Sequence, residues 1–221
     1  MTTYDTNEWG DCRWLQVHNH RRLDDGTYTP ESRWKWILVP TLPKWFQHKS
    51  RGGVLCFAST ARYLEMDKQS PQLSNLCGDF DAGSDDDFPA IANSVAFIIN
   101  HFMGFNVPDE CIRIWFSGGR SFHVEIPYQV FDIQPTVELN QRWKFIVEQI
   151  NGNLPDGCFP FDLSLYSNPR MFRLPNSYYP KYNAYKIELT HDDIHLPISE
   201  IRDMAREPQD ALYMEAGYAE Y

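Results

Sequence analysis

The sequence predicts an α+β domain with a mixed sheet, and three observations support this prediction. Apolar and polar residues alternate over 111–116 and again over 121–126, and Ser117, Gly118 and Gly119 separate the two runs. Alternation with period 2 around a glycine turn is typical of a β-hairpin. Between 88 and 102, apolar residues recur at helical spacing instead. The chain of 221 residues is 43% hydrophobic, which is an ordinary globular composition and enough for a sizeable core.

The N-terminal quarter is rich in aromatic and basic residues. The segment 33–39 is predicted to be a strand with basic residues on one face, and 54–64 is predicted to be a short helix. Five of the seven tryptophans lie within residues 1–50. Interleaved aromatic and basic side chains can stack on and clamp single-stranded nucleic acid. Large aromatic residues also fill cores, so both interpretations of these tryptophans stay open.

The segment 76–82 is predicted to be a strand that ends in the pair Asp79 and Asp81. Side chains alternate along a strand, so both carboxylates are expected on one face, with Phe80 on the other. Two adjacent carboxylates repel, and a cation between them relieves the repulsion. The acids at 85–87 are predicted to cap and begin the helix that Gly104 ends. In the hairpin that follows, Ser121 and His123 are expected to share a face.

The C-terminal half continues with four predicted elements: an amphipathic helix over 136–150 closed by Gly152, an apolar strand over 159–166, a strand around 185–187, and a short helix over 198–206. The apolar segment 159–166 contains a single acid, Asp162. Burying a carboxylate is costly unless its charge is satisfied, so Asp162 is a candidate ligand.

Charge is distributed unevenly along the chain. The net charge of −10 argues against bulk electrostatic coating of nucleic acid. Residues 188–221 hold nine acids against two arginines. Residues 163–187 contain no acid and four basic residues: Arg170, Arg173, Lys181 and Lys186. We therefore expect a polyanion to bind at this segment and to be repelled elsewhere.

Cysteine usage and hydropathy indicate a cytoplasmic protein. The five cysteines lie far apart and form no C-x-x-C pair, so neither a disulfide framework nor a cysteine zinc site is indicated. No run of 18 apolar residues exists, and no membrane partner is expected. The polar, acidic N-terminus is unlike a secretory signal.

Three motifs in order resemble the archaeo-eukaryotic primase superfamily, which includes the primase-polymerases of plasmids, phages and other mobile elements. They are Gly78-Asp79-Phe80-Asp81-Ala82, then the run from Phe116 to Val124 with its Ser-x-His, then Asp162 followed by Arg170-Met171-Phe172-Arg173-Leu174-Pro175-Asn176-Ser177. Each motif alone is weak, but their order and the final run make the resemblance specific. It covers about residues 55–190.

The resemblance implies template-directed nucleotidyl transfer with two divalent metal ions, Mg²⁺ or Mn²⁺. It assigns the metal ligands as Asp79, Asp81 and Asp162. It implies that incoming nucleotide, a dNTP or an rNTP, contacts Ser121, His123, Arg170, Arg173 and Lys186. Arg120 is a further candidate for this contact, because the flexible Gly118-Gly119 turn lets a ligand approach closely. Carboxylate ligands suit these hard cations, and guanidinium groups suit phosphate oxygens. Two departures from the family pattern concern a Lys-Thr-Gly-like turn, replaced by 181–186, and the zinc-binding segment, for which no Cys/His cluster exists.

The implied architecture is a single catalytic domain over 1–221, with a core at about 50–190 and an acidic extension at 191–221. It has two lobes, an N-terminal α/β lobe and a lobe with an RRM-like mixed or antiparallel sheet and flanking helices. The implied partners are single-stranded DNA template, primer and nucleotides, with a helicase domain or partner as a further expectation, in a prokaryotic host or mobile element. Two alternatives remain: a metal-dependent nuclease, since the same carboxylates and metals cut phosphodiesters, and a non-catalytic replication-initiator module that binds nucleic acid.

Overall fold

The computed structural model describes residues 14–22, 27–30, 34–50, 55–166 and 171–209. In these ranges the strands are β1 Trp14–Arg22, β2 Tyr28–Pro30, β3 Lys35–Leu38, β4 Cys56–Ser59, β5 Ala61–Tyr63, β6 Gln72–Ser74, β7 Leu76–Asp81, β8 Arg113–Phe116, β9 Ser121–Ile126, β10 Met171–Arg173, β11 Tyr178–Tyr179, β12 Ala184–Tyr185 and β13 Ile187–Leu189. The α-helices are α1 Leu42–Lys49, α2 Phe88–Gly104, α3 Leu139–Asn151 and α4 Ile198–Met204.

The strands form two main sheets and one small ribbon. The first sheet has seven strands: β10, β4, β1, β5 and β6 in order, with β2 and β3 also paired to β1. The second has four strands in the order β13-β8-β9-β7, and β11 pairs with β12. Every pair between described strands is antiparallel, so the mixed sheet expected from the sequence is corrected to antiparallel sheets, while the α+β class holds.

Each main sheet has its own core, which gives the chain two lobes. In the first lobe, Leu15 and Val17 of β1 pack with Leu42 and Phe46 of α1. In the second lobe, the four-stranded sheet packs its apolar face against the buried residues of α2 and α3, Ile91, Val95, Ile98, Trp143 and Val147 among them. The second core is the larger, and it forms the base of the candidate site.

Helix α2 begins and ends where the sequence predicts. A 3-10 turn at Asp85–Asp87 leads directly into Phe88, and a capping box joins Ser84 to Asp87, whose Oδ2 accepts from the Ser84 amide at 2.8 Å. Acids in this first turn favour the positive end of the helix dipole. The hairpin also forms as predicted, although its first strand begins at Arg113 after a 3-10 turn at Asp109–Cys111.

Two predicted elements are wrong. Residues 55–64 form strands β4 and β5 rather than a helix, since both strands pair with β1. The segment 159–166 forms a loop and a 3-10 helix at Leu163–Tyr166 rather than a strand. Its apolar residues are buried by packing on the second sheet, which an apolar run alone does not distinguish from pairing within one. Helix α3 starts at Leu139, three residues later than predicted. Among the described residues, none of the helices has the length and apolar character needed to cross a bilayer.

Candidate active site

The polar face of the four-stranded sheet carries the predicted acids together with the Ser-x-His motif. In the register of β7 and β9, Asp79 lies opposite His123 and Asp81 lies opposite Ser121. Residues directly opposite in an antiparallel pair share a face, so these four side chains point to one side. The face-sharing predicted from period 2 is confirmed for both pairs.

The opposite, apolar face fixes this orientation. Phe80 of β7, Phe122 of β9 and Phe116 of β8 are each fully buried. A one-residue slip of the register would expose these rings and bury the carboxylates, so the core specifies which way the acids point. The sequence pattern thus positions the site through the packing behind it.

Close contacts order the two acids of β7. Ser121 Oγ donates a hydrogen bond to Asp81 Oδ1. His123 Nε2 lies 3.7 Å from Asp79 Oδ1, and the Asp79 side chain is 20% exposed. Asp81 is exposed at the end of its strand. The pair therefore presents carboxylate oxygens to solvent from a rigid strand.

A glycine brings the third acid next to the first. Phe161 packs against the backbone at Gly78, and its ring lies 4.6 Å from that of Phe80. The Asp162 amide then donates to the Asp79 carbonyl at 3.2 Å. The Asp162 carboxylate accepts from the Ser164 amide at 2.8 Å and from Ser164 Oγ at 2.7 Å.

Asp79 and Asp81 lie on β7, and the backbone of Asp162 is hydrogen-bonded to that of Asp79, so the three acids are close in space. Their side chains do not form a ready metal cluster, because no group of three His, Cys, Asp or Glu side chains in the described part of the chain is arranged to hold an ion. The chemistry of the donor set, three carboxylates, nevertheless fits a hard cation.

His123 lies in a buried, positively charged environment. Its ring stacks on Phe172 with centroids 4.3 Å apart. Burial, followed by the nearby charges of Lys186 and Arg173, holds the pKa of His123 well below its usual value. The imidazole is thus neutral at neutral pH, and its Nδ1 has no hydrogen-bond partner among the described residues. A neutral imidazole contributes hydrogen bonds to a phosphate rather than charge.

Two arginines supply the charge that His123 lacks. Arg120 Nη1 donates to the Gly83 carbonyl at 2.5 Å. The Arg173 guanidinium lies 3.8 Å from the centre of the Tyr179 ring and donates to the Ser117 carbonyl. Burial lowers the pKa of Arg173 to about 10, so this group stays protonated at neutral pH. Arg170, the other arginine predicted to bind nucleotide, lies outside the described residues.

Lys186 does not reach the site in the way the resemblance implies. It is 1% exposed, and its Nζ lies 3.7 Å from Glu125 Oε1. The same nitrogen lies 5.0 Å from the centre of the Trp115 ring and 5.3 Å from that of Phe172. Burial lowers the pKa of Lys186 to about 8. The expectation of a direct nucleotide contact from Lys186 is therefore not met in this structure, because a cation enclosed by two rings and a carboxylate presents no surface.

A cleft of about 420 Å³ joins the remaining groups. Among the residues predicted from the sequence, its lining contains Asp79, Asp81, Arg120, Ser121, His123 and Arg173. Asp162 is not part of the lining. The cleft also contains residues that the sequence analysis did not assign to the site, namely Phe57, Tyr179, Lys181 and Tyr182. Lys181 is exposed, and its place in the acid-free segment was the signal that could have identified it.

The turn between β8 and β9 contacts the segment that carries the tyrosines of the cleft. Gly118 has φ +82°, and a Cβ there would also lie 3.0 Å from the Tyr185 carbonyl. A Cβ at Gly119 would lie 3.1 Å from the Tyr179 ring. Arg202 of α4 holds this turn from outside, since it donates to the Gly119 carbonyl at 3.2 Å and pairs with Asp85. The positive φ favours glycine at position 118, and the close contact at position 119 leaves little room for a side chain.

Comparison with known proteins gives matches in structure alone. No protein-family model and no curated protein sequence matches the chain. The polymerase domain of Ligase D from Mycobacterium tuberculosis, solved in complex with DNA, is similar with a TM-score of 0.57 and 13% identity, over 95% of this chain and 83% of that one. The AEP domain of a primase-polymerase from cyanophage S-2L matches 94% of this chain and 90% of its own with a TM-score of 0.43 and 13% identity. The chain therefore shares the fold of the Ligase D polymerase domain, and the two-lobed α+β architecture expected from the sequence is confirmed.

Proposed function

We propose that this protein is a template-directed nucleotidyltransferase, a DNA primase or primase-polymerase that acts in DNA replication. One observation carries the proposal: two carboxylates in register with Ser121 and His123 share a cleft with Arg120, Arg173 and Lys181. Acids to hold cations and bases to hold phosphates are the two requirements of phosphoryl transfer. The similarity to a polymerase domain solved with DNA agrees with this reading.

The reaction joins the 3′ oxygen of a primer to the α-phosphorus of a nucleoside triphosphate and releases pyrophosphate. Arg173, fixed against Tyr179, offers its guanidinium to phosphate oxygens. His123 adds a neutral hydrogen bond, and Lys181 adds a flexible charge at the rim. Ser121 holds Asp81 in one orientation, so the carboxylate loses less conformational entropy when the substrate binds.

Asp79, Asp81 and Asp162 would hold the divalent ions. Their oxygen ligands suit Mg²⁺ or Mn²⁺, which also take phosphate oxygens and water. Bound there, the metal would neutralise charge on the triphosphate and activate the 3′-hydroxyl. The hydrogen bond from the Asp162 backbone N–H to the Asp79 carbonyl keeps the third acid near the first two.

The test is primer synthesis and extension on single-stranded DNA, run with dNTPs and with rNTPs in turn. We expect product with at least one set, and an Asp79→Asn variant should lose about 10³-fold in rate, since metal ions stabilise charge in the transition state by several kcal/mol. Asp86→Asn is the matched control, because Asp86 is an exposed acid in the first turn before α2. Full activity of Asp79→Asn would refute the assignment.

The same reagents separate the two alternatives. A nuclease would shorten a labelled single strand in the presence of Mg²⁺ without nucleotides. An initiator module would bind DNA and form no nucleotide-dependent product, and its Asp79→Asn variant would bind DNA as tightly as the wild type. The polymerase proposal requires product and no shortening.

A further inference from the structure

A row of aromatic side chains leads from the surface of the first lobe into the cleft. Trp34, just before β3, is 47% exposed, and its ring centre lies 5.5 Å from that of His18. His18 pairs with Phe57 in the register of β1 and β4, with ring centres 6.4 Å apart. Phe57 in turn pairs with Arg173 in the register of β4 and β10. We call Trp34, His18, His20 and Phe57 the aromatic row.

His20 belongs to the same surface. It lies two residues beyond His18 on β1, and its ring is 5.2 Å from that of His18 and 5.5 Å from that of Phe57. The pKa of His20 is lowered by burial and by the charges of His18 and Arg173, so it too lies close to the arginine at the cleft. None of these side chains joins the core that β1 forms with α1.

Among the described tryptophans of the first lobe, Trp45 packs against the edge of the core, whereas Trp34 lies at the surface. Trp14, Trp36 and Trp45 are half-buried and Trp34 is exposed, whereas the fully buried tryptophans, Trp115 and Trp143, lie in the second lobe. Of the two interpretations of the N-terminal aromatics, core packing therefore does not explain Trp34. An exposed indole that contacts the His18 ring, with the His20 ring next to it, suits a ligand with flat apolar faces.

Continuity and charge identify that ligand. Phe57 and Arg173 belong both to this surface and to the lining of the cleft, so a chain lying on the row enters the site. Lys68 places its Nζ 5.5 Å from the centre of the Trp34 ring, which adds a cation at the outer end, and the row itself contains no carboxylate. Neighbouring ring centres in the row are 5.5 Å and 6.4 Å apart. Stacked nucleotides in duplex DNA rise only about 3.4 Å each, so the wider spacing of the rings suits a single strand in an extended conformation.

From these contacts we infer that the aromatic row is a binding site for single-stranded nucleic acid, on which the bases of the strand stack as it enters the cleft. Every base offers a π-face, so such a site is tolerant of sequence. The inference rests on the proposed function only for the role of the bound strand, which would be the single-stranded template held next to the acids. The binding itself can be measured without catalysis.

The test is fluorescence anisotropy with end-labelled oligothymidylate of about 4 and about 12 nucleotides, lengths within the range of one binding module. Trp34→Ala should weaken binding of the longer strand about tenfold, the usual effect of removing one stacking ring, and Trp34→Phe should restore most of the affinity. The shorter strand should be affected less than about twofold, because it need not leave the cleft. Duplex DNA should not share the loss.

Phe145→Ala is the matched control, because Phe145 is 63% exposed on α3 in the other lobe. Equal loss in Phe145→Ala, unchanged binding in Trp34→Ala, or no binding of the long strand by the wild type would each overturn the inference. Primer extension measured in parallel separates the two proposals. An active protein whose Trp34→Ala variant binds normally refutes the row alone. A protein without extension activity whose binding depends on Trp34 refutes the polymerase alone.

Discussion

The contact between Gly78 and Phe161 offers the sharpest test of how the third acid is positioned. In a Gly78→Ala variant, the new methyl group would overlap Phe161 Cε1 and lie 2.6 Å from its Cδ1. Phe161 is 3% exposed and packs on Phe80, which is fully buried, so the ring has no free space to enter. The backbone on one side of the contact must therefore move.

Two opposing terms set the expected change in stability. Alanine in a strand gains about 0.5–1 kcal/mol over glycine through lower chain entropy. Overpacking a full core costs about 1–3 kcal/mol, and this term is larger here because the overlap is with a ring that cannot rotate away. We expect a net loss of about 1–2 kcal/mol, which lowers the melting temperature by roughly 2–8 °C for a chain of this size.

The effect on activity should exceed the effect on stability. Moving Phe161 moves Asp162, whose amide is bonded to the Asp79 carbonyl. A misplacement of about 1 Å at a catalytic group costs on the order of 100-fold in rate. Primer extension well below the melting temperature would measure this loss, and a Phe161→Leu change added to Gly78→Ala should recover part of it by removing the overlap.

Gly104→Ala is the control for this pair of measurements. A Cβ at Gly104 would meet no atom within 4 Å, and the residue ends α2 far in sequence from Phe161. It should keep both activity and melting temperature. If Gly78→Ala behaved like Gly104→Ala in both assays, the idea that Gly78 sets the place of Asp162 would be refuted.

Three further predictions concern the basic and buried groups. His123→Ala should raise the KM for nucleotide with a smaller change in kcat, because it removes a phosphate contact; an unchanged KM would exclude that contact. Lys181→Ala should raise the same KM about tenfold, the effect of one charge-assisted hydrogen bond, while Lys186→Met, which removes only an enclosed charge behind Phe172, should raise it by less. The pKa of Lys186 is about 8 in the folded protein, against the ordinary lysine value of 10.5, so the unfolded chain binds more protons between these values. The free energy of unfolding of the wild type, measured in urea, should therefore rise by about 3 kcal/mol from pH 8 to 10.5 relative to that of a Lys186→Met/Glu125→Gln variant. If the free energies of the two proteins changed with pH in parallel, the buried charge would be contradicted.

Local periodicity made the second lobe predictable. Helix α2 and the hairpin of β8 and β9 follow from spacing that a short window of sequence shows. The prediction of a strand at 159–166 was wrong because Phe161 is buried by packing against the backbone at Gly78, far earlier in the chain, and not by pairing within a sheet. The helix expected at 54–64 was wrong because β4 and β5 owe their form to pairing with β1, which lies far earlier in the chain. Long-range pairing and close backbone approach leave no local periodic signal.

The site shows the same division. Period 2 predicted that Asp79 and Asp81 share a face, and likewise Ser121 and His123, but only the register shows that the two pairs lie opposite each other. The acid-free segment indicated that basic residues gather here, but not which of them face the cleft. A lysine that matches the family pattern in residue type did not predict which lysine faces the cleft, because Lys186 is enclosed while Lys181 is exposed at its rim.

The enclosed lysine still affects the site, through its charge. Lys186 lies behind Phe172, on which His123 stacks, and together with burial its charge depresses the pKa of that imidazole. A cation in this position keeps His123 neutral while adding positive potential beneath the place where phosphates would lie. In a protein of net charge −10, such potential has to be local. Arg173 and Lys181 provide it at the surface of the cleft and Lys186 provides it from within, which is how an acidic chain would hold the triphosphate of the proposed reaction beside its own carboxylates.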